Sequence, residues 1–104
     1  MDKKIAESIN NFDSLIKRNH KGVEKVILFG SYAKNLEKIE SDIDIALIFE
    51  NLSEDERFDL QVQLILLASK IDSRIEPHPI SKEDFYSNNP FVIEIQKTGI
   101  EIDI

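Results

Sequence analysis

Two apolar segments in the first half of the chain constrain its fold most strongly. Val23–Phe29 (VEKVILF) and residues 42–49 (DIDIALIF) are rich in valine, isoleucine and leucine, and polar residues or glycine bound both of them. Short segments of this composition are typical of buried β-strands, because β-branched side chains pack well on a pleated sheet. We therefore predict two strands, joined by a connection that begins at Gly30.

Helical patterns surround these strands. An amphipathic helix is predicted near the start of the chain, where apolar residues recur at helical spacing: Ile5, Ile9, Phe12 and Ile16. Ser53 and Glu56 fit a capping box, so a second helix is expected from residue 53 to about residue 71. Pro90 suits the first turn of a helix that continues to about Thr98. Helices interleaved with strands indicate an α/β or α+β domain.

The helix predicted at residues 53–71 has an unusually wide apolar surface. One stripe consists of Leu60, Leu64, Leu67 and Ile71, and a second stripe beside it consists of Phe58, Val62 and Ile65. A surface of this width either lies deep in the core or is shared with a partner protein. Burial in the core is the commoner arrangement, and we expect it here.

A third strand is predicted at residues 73–80 (SRIEPHPI), and its prolines restrict its position. Pro77 and Pro79 are two residues apart, so their missing N–H groups face the same side of the strand. A strand paired on both sides would lack two ladder hydrogen bonds there. We therefore expect an edge strand, or a strand paired on one side only at this point.

Composition excludes several classes of function. The 104 residues suit a single domain spanning residues 1–104. The chain has no cysteine, which excludes disulfides, thiolate metal sites and thiol nucleophiles. No apolar run approaches the ~20 residues that cross a bilayer, so we expect a cytoplasmic protein without a membrane anchor. The formal charge of −7 argues against direct DNA binding and suits a divalent cation or a basic partner.

The second predicted strand opens with Asp42-Ile43-Asp44. Alternate side chains of a strand share a face, so both aspartates are expected on one face with their Cα atoms roughly 6.6 Å apart. Carboxylates in this arrangement can converge on hard cations, which prefer oxygen ligands. An Asp-x-Asp pattern by itself is more often an exposed strand end, so the residues before it decide the interpretation.

Gly30 and Ser31 directly follow the first predicted strand, and ten residues separate Ser31 from Asp42. Glycine adopts positive φ readily and lets the backbone approach a ligand closely. Ser31 offers a hydroxyl and an N–H at what could be a helix N-terminus, where anions are favoured. A phosphate-binding turn beside an acidic metal site is the arrangement that nucleotidyl transfer requires.

Together, Gly30-Ser31, the ten-residue spacing and Asp42-Ile43-Asp44 resemble the G-S-x10-D-x-D signature of the DNA polymerase beta-like nucleotidyltransferase superfamily. The chain length and the sequence ILFGSYAKN…ESDIDIALI are most similar to those of the minimal nucleotidyltransferases. These are prokaryotic domains that are often encoded beside a HEPN partner in toxin–antitoxin pairs. The resemblance implies a small mixed β-sheet flanked by helices, a triphosphate of ATP bound by Gly30 and Ser31, and Mg²⁺ held by the acids.

The superfamily also uses a third carboxylate from a later strand. The resemblance assigns this role to Glu76, which makes Asp42, Asp44 and Glu76 the expected catalytic and metal-binding set, with Asp72 as the alternative third acid. From the pattern alone, Arg74 with Glu76 could form a surface charge pair. His78, between two prolines, is expected to be structural rather than catalytic.

The resemblance also directs attention to the loop after Ser31. Family members commonly have a second glycine where this chain has Asn35, the non-glycine residue type that best tolerates left-handed φ. Lys34 could assist phosphate binding through its charge, although a solvated loop lysine is an equal expectation.

Two functions follow from the resemblance. The first is Mg²⁺-dependent transfer of AMP from ATP to a protein hydroxyl, which would make the chain the antitoxin of a HEPN toxin. The alternative is a non-catalytic antitoxin that neutralises a HEPN partner by contact. Because no additional domain to hold an acceptor is evident in the sequence, we expect a macromolecular acceptor or a second subunit, and hence a homo- or hetero-oligomer.

Overall fold

The computed structural model describes residues 3–34 and 41–102. Its elements follow one another as α1 (Lys3–Asn19), β1 (Val23–Phe29), β2 (Ile43–Phe49), α2 (Glu54–Ser69), β3 (Ile75–Ser81), α3 (Lys82–Phe85), α4 (Pro90–Thr98) and β4 (Ile100–Glu101). The predicted helices and strands are all present, with bounds that differ by one or two residues at their ends. Asn35 lies outside the described residues.

The four strands form one mixed sheet in the order β3-β2-β1-β4. Strand β1 pairs antiparallel with β2 and with β4, whereas β2 pairs parallel with β3. The prediction of an α+β domain with a small mixed sheet flanked by helices is therefore confirmed. Within the described residues, no helix is long and apolar enough to cross a membrane.

Helices cover both faces of this sheet. Alternate residues of β2 divide between two apolar clusters, because successive strand side chains point to opposite faces. Ile43, Ile45 and Leu47 pack with buried residues of α1 and α2, whereas Ala46 and Ile48 pack with buried residues of α3 and α4. Burial on both faces explains why β2 reads as a nearly continuous apolar run. Its one interruption, Asp44, therefore points to the face that α3 and α4 cover.

Strand β3 lies at the edge of the sheet, as its prolines predict. Pro77 and Pro79 stand opposite Ile45 and Leu47 of β2, and the other side of β3 has no neighbouring strand among the described residues. The side chain of Gln61, on α2, donates a hydrogen bond of 2.7 Å to the carbonyl oxygen of Pro77. A helix side chain thus satisfies part of the edge of β3 that has no neighbouring strand, where the prolines cannot donate.

Helix α2 corrects the expectation that its whole apolar surface is buried. Its first stripe meets the core, with Leu64 fully buried and Leu60, Leu67 and Ile71 packed against the cluster. The second stripe is solvent-exposed: Phe58 is 65% exposed, Val62 43%, Ile65 47%, and neighbouring Leu66 60%. The physical reason is that α2 lies in a single layer over the sheet, so its outer side has no partner within the described chain. This exposed set (Phe58, Val62, Ile65 and Leu66) is called the α2 apolar face below.

Candidate metal and nucleotide site

The predicted acids meet where the parallel strands β2 and β3 begin. Asp44 and Glu76 are direct partners in the β2–β3 register. Asp42 precedes β2 and is exposed. Its negative charge is close enough to Glu76 to raise the pKa of that carboxyl group. Residues that are far apart in sequence are thus brought together by strand pairing.

Gly30 places the turn after β1 directly against this acid cluster. Strand β1 ends with Phe29 opposite Asp44, so the chain turns beside the Asp44 carboxylate. Gly30 has φ of 75°, and a Cβ atom added there would lie only 2.5 Å from Asp44 Oδ2. A residue with a side chain would meet both a strained backbone and a clash. This position therefore requires glycine for two separate reasons.

The residues after Gly30 form a turn that leads away from the acids. Ser31 is half-buried, and the turn is closed by a hydrogen bond of 3.2 Å from the N–H of Lys34 to the carbonyl oxygen of Gly30. The Lys34 side chain reaches α4, where its Nζ pairs with Glu94 Oε1 at 2.8 Å. The described part of the segment is thus a turn that is tied to α4 through an exposed ion pair.

The structure adds His78 to this cluster, although the pattern suggested a structural role. Its Nε2 atom lies 3.2 Å from Asp44 Oδ1 and 3.9 Å from Glu76 Oε1. One ligand atom from each of the three residues lies within 4.8 Å of the others, a spacing that could hold a metal ion. The sequence feature that could have predicted this position is the strand period: His78 is two residues after Glu76, so both side chains point to the same face of β3.

The alternative third acid, Asp72, forms a separate pair with Arg74. Arg74 Nη2 and Nε donate hydrogen bonds to the two carboxylate oxygens of Asp72 at 2.8 and 3.1 Å. These hydrogen bonds, more than the opposing effect of burial, hold the pKa of Asp72 below its ordinary value. Asp72 is therefore engaged in a bidentate ion pair, whereas Glu76 lies with Asp44.

The Asp72–Arg74 ion pair leads to a prediction about how stability depends on pH. Because the pKa of Asp72 is lower in the folded chain than its ordinary value of 3.8, the pair stabilises the fold above that pH and the stabilisation is lost as pH falls through the folded-state pKa. Arg74→Gln is expected to lower the free energy of unfolding at pH 7 by about 1 kcal/mol or less, since Arg74 is partly exposed. Urea unfolding at pH 7 and pH 3 measures the difference, which should shrink in acid. Arg18→Gln, an exposed arginine of α1, is the control, and an unchanged Arg74→Gln effect at pH 3 would contradict the prediction.

Glu76 has the opposite shift. Burial raises its pKa most, and the negative charges of Asp44 and Asp42 raise it further, against a lowering effect of His78. A bound cation would relieve this repulsion. Carboxylate oxygens converging from two strands are also the donors that Mg²⁺ and similar divalent ions take in proteins. The residues present therefore fit a divalent metal.

The comparison with known families agrees with this geometry. The family model described as polymerase beta, nucleotidyltransferase matches residues 10–102, which include both strands of the acid cluster and the Gly30 turn. The chain belongs to this family. The resemblance inferred from the Gly-Ser and Asp-Ile-Asp spacing is thereby confirmed.

Other nucleotidyltransferase-like structures share the fold. A toxin–antitoxin crystallised with AMP-PNP has a TM-score of 0.63 and 24% identity, with 89% of this chain and 70% of that chain covered. A tri-AMPylated HEPN toxin from Shewanella oneidensis in complex with an MNT antitoxin has a TM-score of 0.56 and 22% identity. The match covers 92% of this chain and 69% of that chain. A putative nucleotidyltransferase from Sulfolobus solfataricus has a TM-score of 0.59 and 19% identity. The match covers 97% of this chain and 87% of that chain. At these identities the likeness shows a common fold. No curated protein matches the chain in sequence.

A cleft of about 220 Å³ opens beside His78 of the acid cluster. His78 lines one side of it, and its other walls include Arg57 and Gln61 of α2 and Phe91 of α4. The cleft therefore lies between the edge strand β3 and parts of α2 and α4. A larger cavity of about 560 Å³, bordered by Asn19 and residues of the α2 N-terminal half, contains none of the predicted site residues.

Proposed function

We propose that residues 1–104 act as one Mg²⁺-dependent nucleotidyltransferase domain that transfers AMP from ATP to a hydroxyl group of a protein. We further propose that this protein is a HEPN toxin and that the chain is its antitoxin. The observation that carries the proposal is the close approach of Gly30 to Asp44, which sets a glycine turn against an acid cluster. Membership of the nucleotidyltransferase family supports the reaction type.

The residues of the cluster have distinct roles in this proposal. The backbone at Gly30 and the hydroxyl and N–H of Ser31 bind the triphosphate, because a glycine turn leaves room for phosphate oxygens beside the peptide groups. Asp42, Asp44 and Glu76 hold the metal. When bound, Mg²⁺ supplies positive charge that neutralises the oxygens of the pyrophosphate leaving group.

Glu76 has a second role in proton transfer. The acceptor oxygen forms a bond to the α-phosphorus of ATP while the bond to pyrophosphate breaks, so the acceptor hydroxyl must give up its proton. The Glu76 carboxylate accepts this proton as the general base. About half of its side-chain surface is exposed, so an acceptor can reach it.

The surface of α2 supports a protein as the acceptor. The α2 apolar face stands beside four exposed acidic residues of the same helix: Glu54, Asp55, Glu56 and Asp59. An apolar surface with a cluster of acidic residues at its N-terminal end suits a partner that has apolar side chains and basic groups. Phe58 and Val62 directly follow Arg57 and Gln61, which line the cleft beside His78. A partner that covers this face and also the Arg57–Gln61 side of α2 would reach the cleft beside His78.

Incubation with ATP labelled at the α-phosphate tests the proposal. A purified HEPN partner encoded beside this chain should acquire the label in the presence of Mg²⁺, and EDTA should prevent it. Mass spectrometry should then find the added AMP on a hydroxyl side chain. A partner that stays unlabelled while the chain still suppresses its toxicity would contradict transfer and favour neutralisation by contact, the alternative that the exposed α2 apolar face supports.

The α2 apolar face leads to a prediction about the complex with the HEPN partner. Ile65→Ser should weaken binding to the partner about tenfold or more, because a large apolar side chain at the centre of an interface contributes more than 1 kcal/mol. Ile100→Ser is a matched control, since Ile100 has nearly the same exposure (49% against 47%) but lies on β4. Isothermal calorimetry compares the two variants. If both variants lost the same affinity for the partner, the α2 apolar face would not be the interface.

A further inference from the structure

The imidazole of His78 is directed at the centre of the acid cluster rather than at solvent. A single atom, Nε2, lies 3.2 Å from a carboxylate oxygen of β2 and 3.9 Å from a carboxylate oxygen of β3. The side chain is 26% exposed, so the ring is largely enclosed. Its neighbour across the β2–β3 pair is Ala46, whose small side chain leaves room for the ring to lean toward Asp44.

Two phenylalanines hold the ring in this orientation. Phe29 packs against His78 edge-to-face with the ring centroids 5.1 Å apart, and Phe91 approaches to 6.1 Å. Pro77 and Pro79 on either side of His78 fix the backbone φ of β3. A donor atom whose backbone and ring are both restrained loses little conformational freedom on binding a ligand.

The separations fit a common metal ion. Two ligands at right angles on an ion with bonds of 2.1 Å are about 3 Å apart, and two on opposite sides are about 4.2 Å apart. The distances of 3.2 and 3.9 Å from Nε2 to the two carboxylates fall between these limits. The position of Nε2 relative to both carboxylates is therefore compatible with binding one ion together with them.

We propose that His78 is a ligand of the metal in this site and makes the site prefer Mn²⁺ to Mg²⁺. The inference rests on the proposed function, because it concerns the same metal site. Its reason is the donor set: carboxylates suit Mg²⁺ and Mn²⁺ alike, whereas an imidazole nitrogen favours transition ions over Mg²⁺, a hard ion that prefers oxygen. The nitrogen thus discriminates between two ions that the acids alone would treat similarly.

Metal binding to the full chain tests this without measuring catalysis. The chain has two histidines and no cysteine, so His20→Asn is a matched control for His78→Asn. His20 belongs to a different part of the molecule, where its ring packs against Phe49 at 6.2 Å. Calorimetry measures the affinities for Mn²⁺ and Mg²⁺, and pulsed electron paramagnetic resonance detects nitrogen bound to Mn²⁺.

The wild-type chain and His20→Asn should bind Mn²⁺ about tenfold or more tighter than Mg²⁺, with a nitrogen coupling from one imidazole. In His78→Asn that coupling should disappear and the preference should fall by about tenfold. Tight Mn²⁺ binding by the wild-type chain without nitrogen coupling would overturn the role of His78 and leave the metal site standing. Failure of the wild-type chain to bind either ion would overturn the site and the proposed function together. The wild-type spectrum decides the matter even if His78→Asn does not fold.

Discussion

Asp44→Asn is expected to reduce AMP transfer by about a thousandfold or more. Asp44 lies at the centre of the cluster, since it is opposite Glu76 in the strand register, lies 3.2 Å from His78 and borders Gly30. Asparagine keeps the size of the side chain but removes the negative charge. A catalytic metal contributes several kcal/mol to stabilising a transition state, and each 1.36 kcal/mol corresponds to a factor of ten in rate.

Transfer of labelled AMP under single-turnover conditions measures this effect. Asp72→Asn is the matched control, because it makes the same change of side chain just before β3, in a residue that pairs with Arg74. It should retain transfer within a few-fold. If Asp72→Asn lost as much activity as Asp44→Asn, Asp72 would be the third acid and the assignment of Glu76 would be wrong.

The Asp44→Asn variant also separates the two proposed modes of antitoxin action. Neutralisation through AMP transfer requires the acids, whereas neutralisation by contact requires only the α2 apolar face. Co-expression of the variant with the HEPN partner should therefore leave the cells intoxicated. Full protection by the variant would show that contact suffices.

Gly30→Ala is expected to have the second large effect, on stability and nucleotide binding together. The left-handed φ of 75° costs a residue with a Cβ about 1–2 kcal/mol. The added methyl would also stand 2.5 Å from Asp44 Oδ2, so the carboxylate must move out of the cluster. Because one substitution strains the turn and displaces an acid, it should affect both properties.

Thermal unfolding with and without MgATP measures both consequences. A loss of 1–2 kcal/mol corresponds to a Tm lower by roughly 4–16 °C for a domain of about 100 residues, and the stabilisation by MgATP should be lost. Gly22→Ala is the matched control, because the nearest atom to an added Cβ is Phe49 Cδ1 at 3.9 Å and its φ is not left-handed. Wild-type MgATP stabilisation in Gly30→Ala would contradict the assignment of this turn to the triphosphate.

Much of the fold was predictable because its signals are local. The helical spacing of Ile5 to Ile16 and the β-branched runs of β1 and β2 identify their elements through periods that any short segment reveals. The prolines of β3 even predicted its position at the edge of the sheet, since a missing N–H restricts pairing wherever the strand lies. The acids Asp42 and Asp44 could be proposed from their spacing to the Gly-Ser turn.

Two features of the site were beyond such local signals. The α2 apolar face carries the same residue types as a buried stripe, and only the absence of a packing partner in the described chain distinguishes the two. His78 was expected to be structural because its neighbours in sequence are prolines, whereas its neighbours in space are Asp44 and Glu76.

The sequence by itself therefore determined the elements, the edge position of β3 and the family, since each depends on periodicity or spacing along the chain. Tertiary structure decided between the two candidate third acids, because it places Glu76 opposite Asp44 and pairs Asp72 with Arg74, and it alone brought His78 to the same acids. The physical reason is the register between β2 and β3. A shift of one residue in that parallel pairing would move Glu76 and His78 to the opposite face of the sheet, and nothing in a linear sequence states which register the packed core selects.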